Sequence, residues 1–355
     1  SIQVMTDEAY PDPTQQPIEL TVENRAHGWR VDHYLSRLYP NYSRVTFQKA
    51  IEGQSVLING LPVKRGRRLR VNDVVRVSLP AAADSSLAAE DIPLDVLYED
   101  SSIVVINKSP NMVVHPGKGN YGGTLAAALQ FHFDQLSDVA GQLRPGIVHR
   151  LDRDTSGVIV ISKDTQVNGP LSAQFEHREV QKEYRALTWG EIGFDRDLLE
   201  TYVRVHPKHR ERMLICEEGG NARLAVTNYE VLERFRGFTY VRLRPKTGRT
   251  HQLRVHLEHL GHPILADRLY GGLSEVRLSQ VKAEPRPGRP ERPKTSKPAD
   301  DADDPVLIGR QSLHAFRIEF AHPQTGKPVA FEAPLPADFE RTLSALTQYS
   351  REETS

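Results

Sequence analysis

The spacing of apolar residues predicts two short helices near the start of the chain. Apolar side chains recur three and four positions apart in residues 31–38, which is the period of a helix with one buried face. A second helix is predicted to end at Ile51, because Ser43 is a suitable N-cap and Gly53 is a suitable stop.

The pattern then changes to that of short strands. Residues 56–58 and 74–79 are rich in β-branched side chains, and Asn59-Gly60 favours a tight hairpin turn after the first of them. Residues 28–80 are therefore predicted to form a small, independent αβ module.

A second, larger domain is predicted for residues 97–345. Four β-branched residues in a row at 158–161 indicate a buried strand. The other elements predicted here are strands at 103–106, 180–187, 240–243 and 316–320, and helices at 124–131, 172–176 and around 253–257.

Four segments lie outside these elements, and the first three are predicted to be flexible or disordered. Residues 1–27 read as an acidic, flexible tail with a short strand near residues 18–22, and residues 81–96 as an acidic linker. Residues 274–304 hold five prolines and a closing acidic run, which favours a disordered insertion. Residues 346–355 are expected to form a C-terminal tail.

The charge of the chain is balanced only on average. It carries 46 basic and 46 acidic side chains, but between Arg30 and Arg76 there are ten basic and three acidic residues, a net charge of +7. So small and basic a module is suited to binding phosphate groups. A solvated basic surface without a ligand is the alternative.

Composition excludes several classes of protein. The single cysteine, Cys216, excludes an internal disulfide, and its spacing from His206 and His209 fits no zinc pattern. No glycine-rich nucleotide-binding motif is present, so neither a metal nor another cofactor is expected. Because no apolar run approaches the roughly 20 residues of a membrane span and no signal pattern is visible, a cytoplasmic protein is expected.

The candidate chemistry lies in the stretch from His149 to Lys163. Asp152 stands between Arg150 and Arg153 on a polar loop that leads into the predicted buried strand. A carboxylate on such a loop can project into a cleft, and neighbouring guanidinium groups favour its ionised form. For an acidic loop residue taken alone, capping of a turn is the alternative role.

Three motifs resemble those of the RluA-type pseudouridine synthases. They are His-Arg-Leu-Asp with Thr-Ser-Gly around Asp152, Lys-x-Tyr-x-x-Leu around Tyr184, and Thr-Gly-Arg-Thr-His-Gln-Leu-Arg around Arg249. The resemblance covers residues 28–79 and 97–340 without the insertion. A further motif departs from the family, since Ser109-Pro110-Asn111 stands where Pro-x-Gly is usual. Asn can take the left-handed conformation of the missing glycine, so the turn is expected to survive.

The resemblance implies an α+β protein whose larger domain holds a mixed, mainly antiparallel sheet. It also implies an isomerase that converts uridine in RNA to pseudouridine without a cofactor. Asp152 would start the reaction, Tyr184 would stack on the uracil, and Arg249 would pair with Asp152. Arg150 would fill the space left by the flipped base. The other residues predicted to bind substrate are Gln252, Leu253, Arg254 and His115.

Residues 28–79 contain Arg-Val-Asp-x-x-Leu from Arg30, Ser43-Arg44, and Val-Leu-Ile-Asn-Gly from Val56. This pattern resembles an RNA-binding module shared by a small-subunit ribosomal protein and tyrosyl-tRNA synthetases. The resemblance implies contacts to RNA shape and backbone. The residues expected to make them are Arg44, Lys49, Arg65, Arg67 and Arg68. Family members with this module resemble the D-like subgroup that acts on large-subunit ribosomal RNA, so ribosomal RNA is favoured over tRNA. No DNA or membrane partner is expected, and a monomer is the default.

Alternatives from other classes stay open at this point. One is a non-catalytic RNA-binding or ribosome-assembly protein, and another is a tRNA pseudouridine synthase. A hydrolase of glycosidic bonds would need a second carboxylate at a defined distance, for which Asp154 is the nearby candidate.

Overall fold

The computed structural model describes residues 17–39, 44–79, 89–116, 122–133, 146–283 and 304–350. Within these residues the helices are α1 (Val31–Leu38), α2 (Arg44–Glu52), α3 (Leu125–His132), α4 (Thr165–Glu176), α5 (Gln252–His259), α6 (Leu278–Lys282) and α7 (Ala337–Tyr349). The first strands are β1 (Ile18–Thr21), β2 (Val56–Ile58), β3 (Leu61–Pro62), β4 (Val74–Val77), β5 (Asp95–Glu99), β6 (Ile103–Lys108), β7 (Ser156–Ser162) and β8 (Gln181–Trp189). The later strands are β9 (Arg196–Val205), β10 (Met213–Cys216), β11 (Arg223–Phe235), β12 (Phe238–Pro245), β13 (Val276–Arg277), β14 (Val306–Ile308), β15 (Leu313–Ala321) and β16 (Pro328–Glu332).

The N-terminal module is a four-stranded antiparallel sheet, in the order β1-β4-β2-β3, that carries α1 and α2. Its core is apolar, and five fully buried members are Val31, Leu35, Phe47, Val56 and Val75. Asn59 and Gly60 connect β2 to β3 with φ of +53° and +77°, as a tight hairpin turn requires. The predicted helices and hairpin are confirmed, while the cap expected at Ser43 lies outside the described residues.

The predicted flexible tail, residues 1–27, includes residues that are ordered in the structure. Strand β1 pairs with β4 in the sheet of the module, with Ile18 opposite Val77, and its alternate residues Ile18 and Leu20 are buried. The short strand predicted near residues 18–22 is confirmed, but a tail that extends to residue 27 is wrong. The reason is that alternating apolar residues complete a core made elsewhere in the chain.

The second domain is built on a ten-stranded sheet. Its order is β10-β9-β11-β12-β8-β15-β7-β6-β5, and β16 pairs with β15. Among the described pairs of this sheet, only β15 with β7 is parallel, which confirms the mixed, mainly antiparallel sheet. All seven residues of β7 are buried. The loop before β7, residues 149–155, therefore rests on a rigid strand in the interior of the sheet.

The predicted disordered insertion and the predicted C-terminal tail both contain ordered residues. Residues 276–282 form β13 and α6, β13 pairs with β14, and Val281 is fully buried. Helix α7 continues to Tyr349 and buries Leu346, past the predicted domain end at residue 345. Both predictions are wrong here because these short apolar stretches pack against each other and against β8 and β12. Residues 284–303 and 351–355 lie outside the described part of the chain.

Candidate active site

A cavity of about 460 Å³ opens where the 149–155 loop, strand β8 and the start of α5 meet. The predicted site residues in its wall are Arg150, Asp152, Tyr184, Arg249, Gln252, Leu253 and Arg254. The fold thus brings three distant motifs to one place. His115 does not line this cavity and is half-buried in the segment that follows β6, so a substrate contact there is not found.

Asp152 is presented by a loop that is fixed on both sides of it. Leu151 before it is buried, and the backbone N–H of Thr155 after it donates to the carbonyl oxygen of Asp152 at 3.1 Å. The side chain of Asp152 is 20% exposed. Its carboxylate therefore reaches the cavity while most of its surface is shielded from water.

The buried Lys108 ties this loop to the turn after β6. Its Nζ donates to three backbone carbonyl oxygens, those of Ser109 (2.7 Å), Met112 (2.9 Å) and Arg153 (3.0 Å). Asn111 in the turn has a φ of +58°, so the expected left-handed Asn is confirmed. Lys108 supports the residue next to Asp152 from the protein interior.

The cation beside Asp152 is Arg254, not Arg249. Arg254 donates from Nη1 to Oδ2 of Asp152 at 3.2 Å, and Nε2 of His251 lies 3.8 Å from the same oxygen. Arg249 donates instead from Nε to a backbone carbonyl of β11 at 3.0 Å. The predicted pair of Arg249 with Asp152 is wrong because α5 begins only at Gln252. Arg254 lies in the first turn of this helix, while Arg249 lies in the loop before it.

Two residues that the sequence patterns did not single out hold Arg254 in place. The fully buried Asp267 carboxylate accepts hydrogen bonds from Nε (2.7 Å) and Nη2 (2.8 Å) of Arg254. The guanidinium also lies over the Tyr270 ring, 5.1 Å from its centre. Burial alone would lower the pKa of Arg254, but the hydrogen bonds and charge of Asp267 raise it above its usual range. No local pattern marks Asp267, since it lies in an irregular turn after α5.

Tyr184 lies on β8 with its side chain in the cavity wall. Burial raises the pKa of its phenol, and the nearby charge of Asp152 raises it further. The phenol therefore keeps its proton at neutral pH. Lys182 is also in the wall, because alternate residues of a strand share one face. It belongs to the Lys-x-Tyr motif, which could have marked it in the sequence.

His149 anchors the start of the 149–155 loop to α4 and β7. Its ring stacks on Phe175 with centres 4.5 Å apart, and its Nε2 accepts the backbone N–H of Val160 in β7 at 3.0 Å. Burial, with a smaller effect of Lys182, lowers the pKa of His149 to about 3. A neutral ring is what the hydrogen bond requires, because a protonated Nε2 cannot accept.

Both polar atoms of the Gln252 side chain form hydrogen bonds within the protein, so neither is available for a substrate. Its Oε1 accepts from Thr247 Oγ1 (2.7 Å) and from the backbone N–H of Arg249 (3.0 Å). Its Nε2 donates to the carbonyl of Val226 (3.0 Å) and to Thr227 Oγ1 (2.9 Å). The predicted substrate contact through this side chain is therefore replaced by a supporting role.

The five predicted RNA-binding residues of the module differ in their surroundings. Arg44, Arg65 and Arg67 form ion pairs with the three acidic residues of this basic segment, Asp32, Glu52 and Asp73 respectively. Burial would raise the pKa of Asp32, but hydrogen bonds from Arg44, Gln48 and Arg30 hold it well below its usual range. Lys49 and Arg68 are exposed and lie in no described ion pair. The module thus offers cations that are held in ion pairs and exposed cations that are in no described ion pair.

Among the residues that the structure describes, no three His, Cys, Asp or Glu side chains are grouped so that they could hold a metal ion. In the same part of the chain, every helix is too short or too polar to cross a membrane.

Comparison with known proteins finds relatives over most of the chain. The sequence model of the RNA pseudouridylate synthase family matches residues 102–259, and that of the S4 domain matches residues 29–75. An uncharacterized RNA pseudouridine synthase of Chlorobaculum parvum is 40% identical over 320 residues, which cover 89% of this chain and 94% of that protein. Two proteins named ribosomal large subunit pseudouridine synthase D are also similar. The one from Haemophilus ducreyi is 36% identical over 95% of this chain and 97% of its own length, and the one from Xanthomonas campestris is 37% identical over 96% and 97%. With its S4 module and its three motifs in one cavity, the chain belongs to the RNA pseudouridine synthase family.

Proposed function

We propose that this isomerase modifies a uridine of large-subunit ribosomal RNA and that Asp152 starts the reaction in the cavity described above. The observation that carries the proposal is the Asp152 carboxylate in the cavity wall, 3.2 Å from the fixed Arg254 and in the same wall as Tyr184. The ribosomal substrate rests on the names of the Haemophilus ducreyi and Xanthomonas campestris relatives.

The reaction exchanges one bond to the ribose for another. The bond between uracil N1 and ribose C1′ breaks, the base turns, and a bond forms between C5 and C1′. The proton leaves C5, and N1 gains one. Since the base must be detached from the ribose and turned, the uridine must leave its stack at a cost of about a few kcal/mol. Arg150, exposed at the rim of the cavity, is placed to occupy the gap.

Asp152 can act in two ways, by attack on C1′ or by removal of the proton from C2′. Both need an ionised carboxylate, and the guanidinium of Arg254 donates a hydrogen bond to it at 3.2 Å. Tyr184 provides an aromatic face for the uracil. Because its phenol keeps its proton, we assign it to stacking and hydrogen-bond donation rather than to proton abstraction as a phenolate.

Release of tritium from carbon-5-labelled uridine tests the reaction and the role of Asp152. Wild-type protein is expected to release tritium from large-subunit ribosomal RNA transcripts, and Asp152→Asn is expected to release none while it binds the RNA with similar affinity. Asp154→Asn is the matched control, because this carboxylate lies on the same loop but outside the cavity wall, and it should keep activity. Equal loss of binding and activity in Asp152→Asn would contradict a catalytic role.

The choice of RNA is tested in the same assay. Chemical mapping should locate the new pseudouridine in large-subunit ribosomal RNA, and unmodified tRNA transcripts should release no tritium. Release from tRNA alone would overturn the ribosomal assignment and leave the role of Asp152 standing.

A further inference from the structure

Five cations of the cavity wall lie in no ion pair within the described structure: Arg150, Arg178, Lys182, Lys246 and Arg249. Three of them, Arg178 just after α4, Lys182 on β8 and Arg249 in the loop before α5, are neighbours, because Lys182 Nζ lies beside Gly248 and the charge of Arg178 acts on Arg249. The wall contains two carboxylates, and Asp152 pairs with Arg254 and His251. Glu176, the other one, lies beyond ion-pair distance of all three cations within the described structure. Lys182 and Arg249 are half-buried, while Arg178 is exposed beside them. An unpaired cation that is partly removed from water is costly, so Lys182 and Arg249 call for an anion from outside.

Lys182 is the most enclosed of the three. It is half-buried, and no described carboxylate or carbonyl oxygen takes a hydrogen bond from its ammonium group. Its Nζ lies beside Gly248, 3.6 Å from where a β-carbon would be at that position. Burial lowers the pKa of Lys182, with no opposing charge to raise it. The ammonium group of Lys182 therefore lies in the cavity without a counter-ion among the described residues.

Arg249 belongs to the same charged group. Its pKa is lowered by burial and then by the positive charges of Arg178 and Arg223. Asp152 has no part in this shift, in contrast to its effect on Arg254. Nε of Arg249 is used by the carbonyl of Leu224, and no described residue accepts a hydrogen bond from its two Nη atoms.

Arg178 occupies a position where glycine is the usual residue. It follows the C-cap of α4 with a φ of +63°, and the N–H of Glu179 closes the helix end on the carbonyl of Gln174 at 2.9 Å. A residue with a side chain is less favourable than glycine in this left-handed conformation. Arg178 nevertheless stands at this position, and it lines the cavity.

We propose that Arg178, Lys182 and Arg249 form a binding site for one backbone phosphate of the substrate RNA. The inference rests on the proposed function and adds the direction in which the nucleotide lies. Lys182 and Tyr184 are two residues apart on one face of β8, a step of about 7 Å. One nucleotide can therefore reach both side chains. The uracil then lies on Tyr184 beside Asp152, and the phosphate lies between the three cations.

The salt dependence of RNA binding tests the site apart from catalysis. Lys182→Met keeps most of the side-chain stem and removes the charge, and Arg178→Gly suits the left-handed backbone. Each is expected to weaken binding of a stem-loop that contains the mapped uridine by about tenfold and to lower the slope of log affinity against log salt by about 0.7. Lys327→Met, at an exposed position outside the cavity wall, is the control and should change neither value.

A stem-loop with one neutral methylphosphonate linkage identifies the phosphate. At one linkage next to the target uridine, neutralisation should weaken binding to the wild type by about tenfold and have no further effect on Lys182→Met. Purely additive effects at every flanking linkage, or unchanged salt slopes, would overturn the phosphate site. Absence of tritium release by the wild type would overturn the proposed function instead, and the salt slopes would still decide whether the three cations bind RNA.

Discussion

Asp152 is positioned by Arg254, and Arg254 is itself held in place by other residues. Arg254 uses two of its nitrogen atoms for the buried Asp267 and stacks on Tyr270, so that only Nη1 remains to face Asp152. A bidentate carboxylate pair restricts both the position and the plane of a guanidinium. The geometry at Asp152 therefore depends on a residue that does not line the cavity.

Asp267→Asn should lower kcat by about 100-fold and change KM for RNA little. The substitution keeps the size of the side chain but breaks the bidentate ion pair, and a misplacement of about 1 Å near the reacting atoms has an effect of this size. The measurement is steady-state tritium release, at a temperature well below the unfolding transition of the variant, since loss of a buried partner costs about 3–5 kcal/mol.

The control for this prediction is again Asp154→Asn, which removes a carboxylate of the 149–155 loop without touching Arg254. A rise in KM with an unchanged kcat in Asp267→Asn would show that Asp267 serves RNA binding and not the position of Arg254.

His149 should make the folded state sensitive to acid. Its pKa is about 3 in the folded state and 6.5 in the unfolded chain, so between these values the unfolded chain binds more protons. The stability due to the neutral ring is complete above about pH 6.5 and is lost as the pH falls. Between pH 7 and pH 5 the wild type should lose about 2 kcal/mol more than His149→Gln.

Urea unfolding at the two pH values measures this difference. His177→Gln, at an exposed position, is the control and should keep the pH dependence of the wild type. Equal acid sensitivity of wild type and His149→Gln would refute the role of His149.

At the scale of elements, the parallel contact between β7 and β15 fixes the strand under the 149–155 loop. Gly157 of β7 has a φ of +114°, and a β-carbon there would collide with the carbonyl oxygen of Ala315 in β15. The two backbones approach so closely that only glycine fits. The conformation needed is also one that other residues rarely adopt.

Gly157→Ala should therefore destabilise the fold by about 3 kcal/mol or more. Gly309→Ala is the matched control: this glycine of the same domain is exposed, has open space around it and does not take a left-handed φ, so alanine should change the stability by about 0.5 kcal/mol or less. Chemical denaturation of both variants gives the comparison. A similar small effect of the two substitutions would show that β7 and β15 can separate without cost.

At the scale of the whole molecule, positive charge is concentrated in the N-terminal module although the chain has no net charge. The module's acidic residues hold several of its arginines in place, while cations such as Lys49 and Lys64 are exposed and lie in no described ion pair. Free surface cations of this kind attract RNA with little regard to its sequence.

The double variant Lys49→Gln and Lys64→Gln should weaken binding of long, folded ribosomal RNA and lower its salt slope by about 1 to 2. Turnover of a short stem-loop at saturating concentration should stay within about twofold, because the cavity is unchanged. Filter binding over a range of salt concentrations and tritium release provide the two measurements. A slope equal to that of the wild type would argue against RNA binding by these two residues.

The sequence by itself determined the order of elements, the basic module, the loop that carries Asp152 and the motif residues around the cavity. Each of these rests on local information, such as a period of apolar residues or a run of charges. Tertiary structure decided which arginine meets Asp152, because Arg249 and Arg254 differ only by where α5 begins. It also decided that Asp267 supports Arg254, that Gln252 is fully used inside the protein, and that β1, α6 and the end of α7 are ordered. These outcomes depend on partners distant in the sequence, whose contacts no local pattern records.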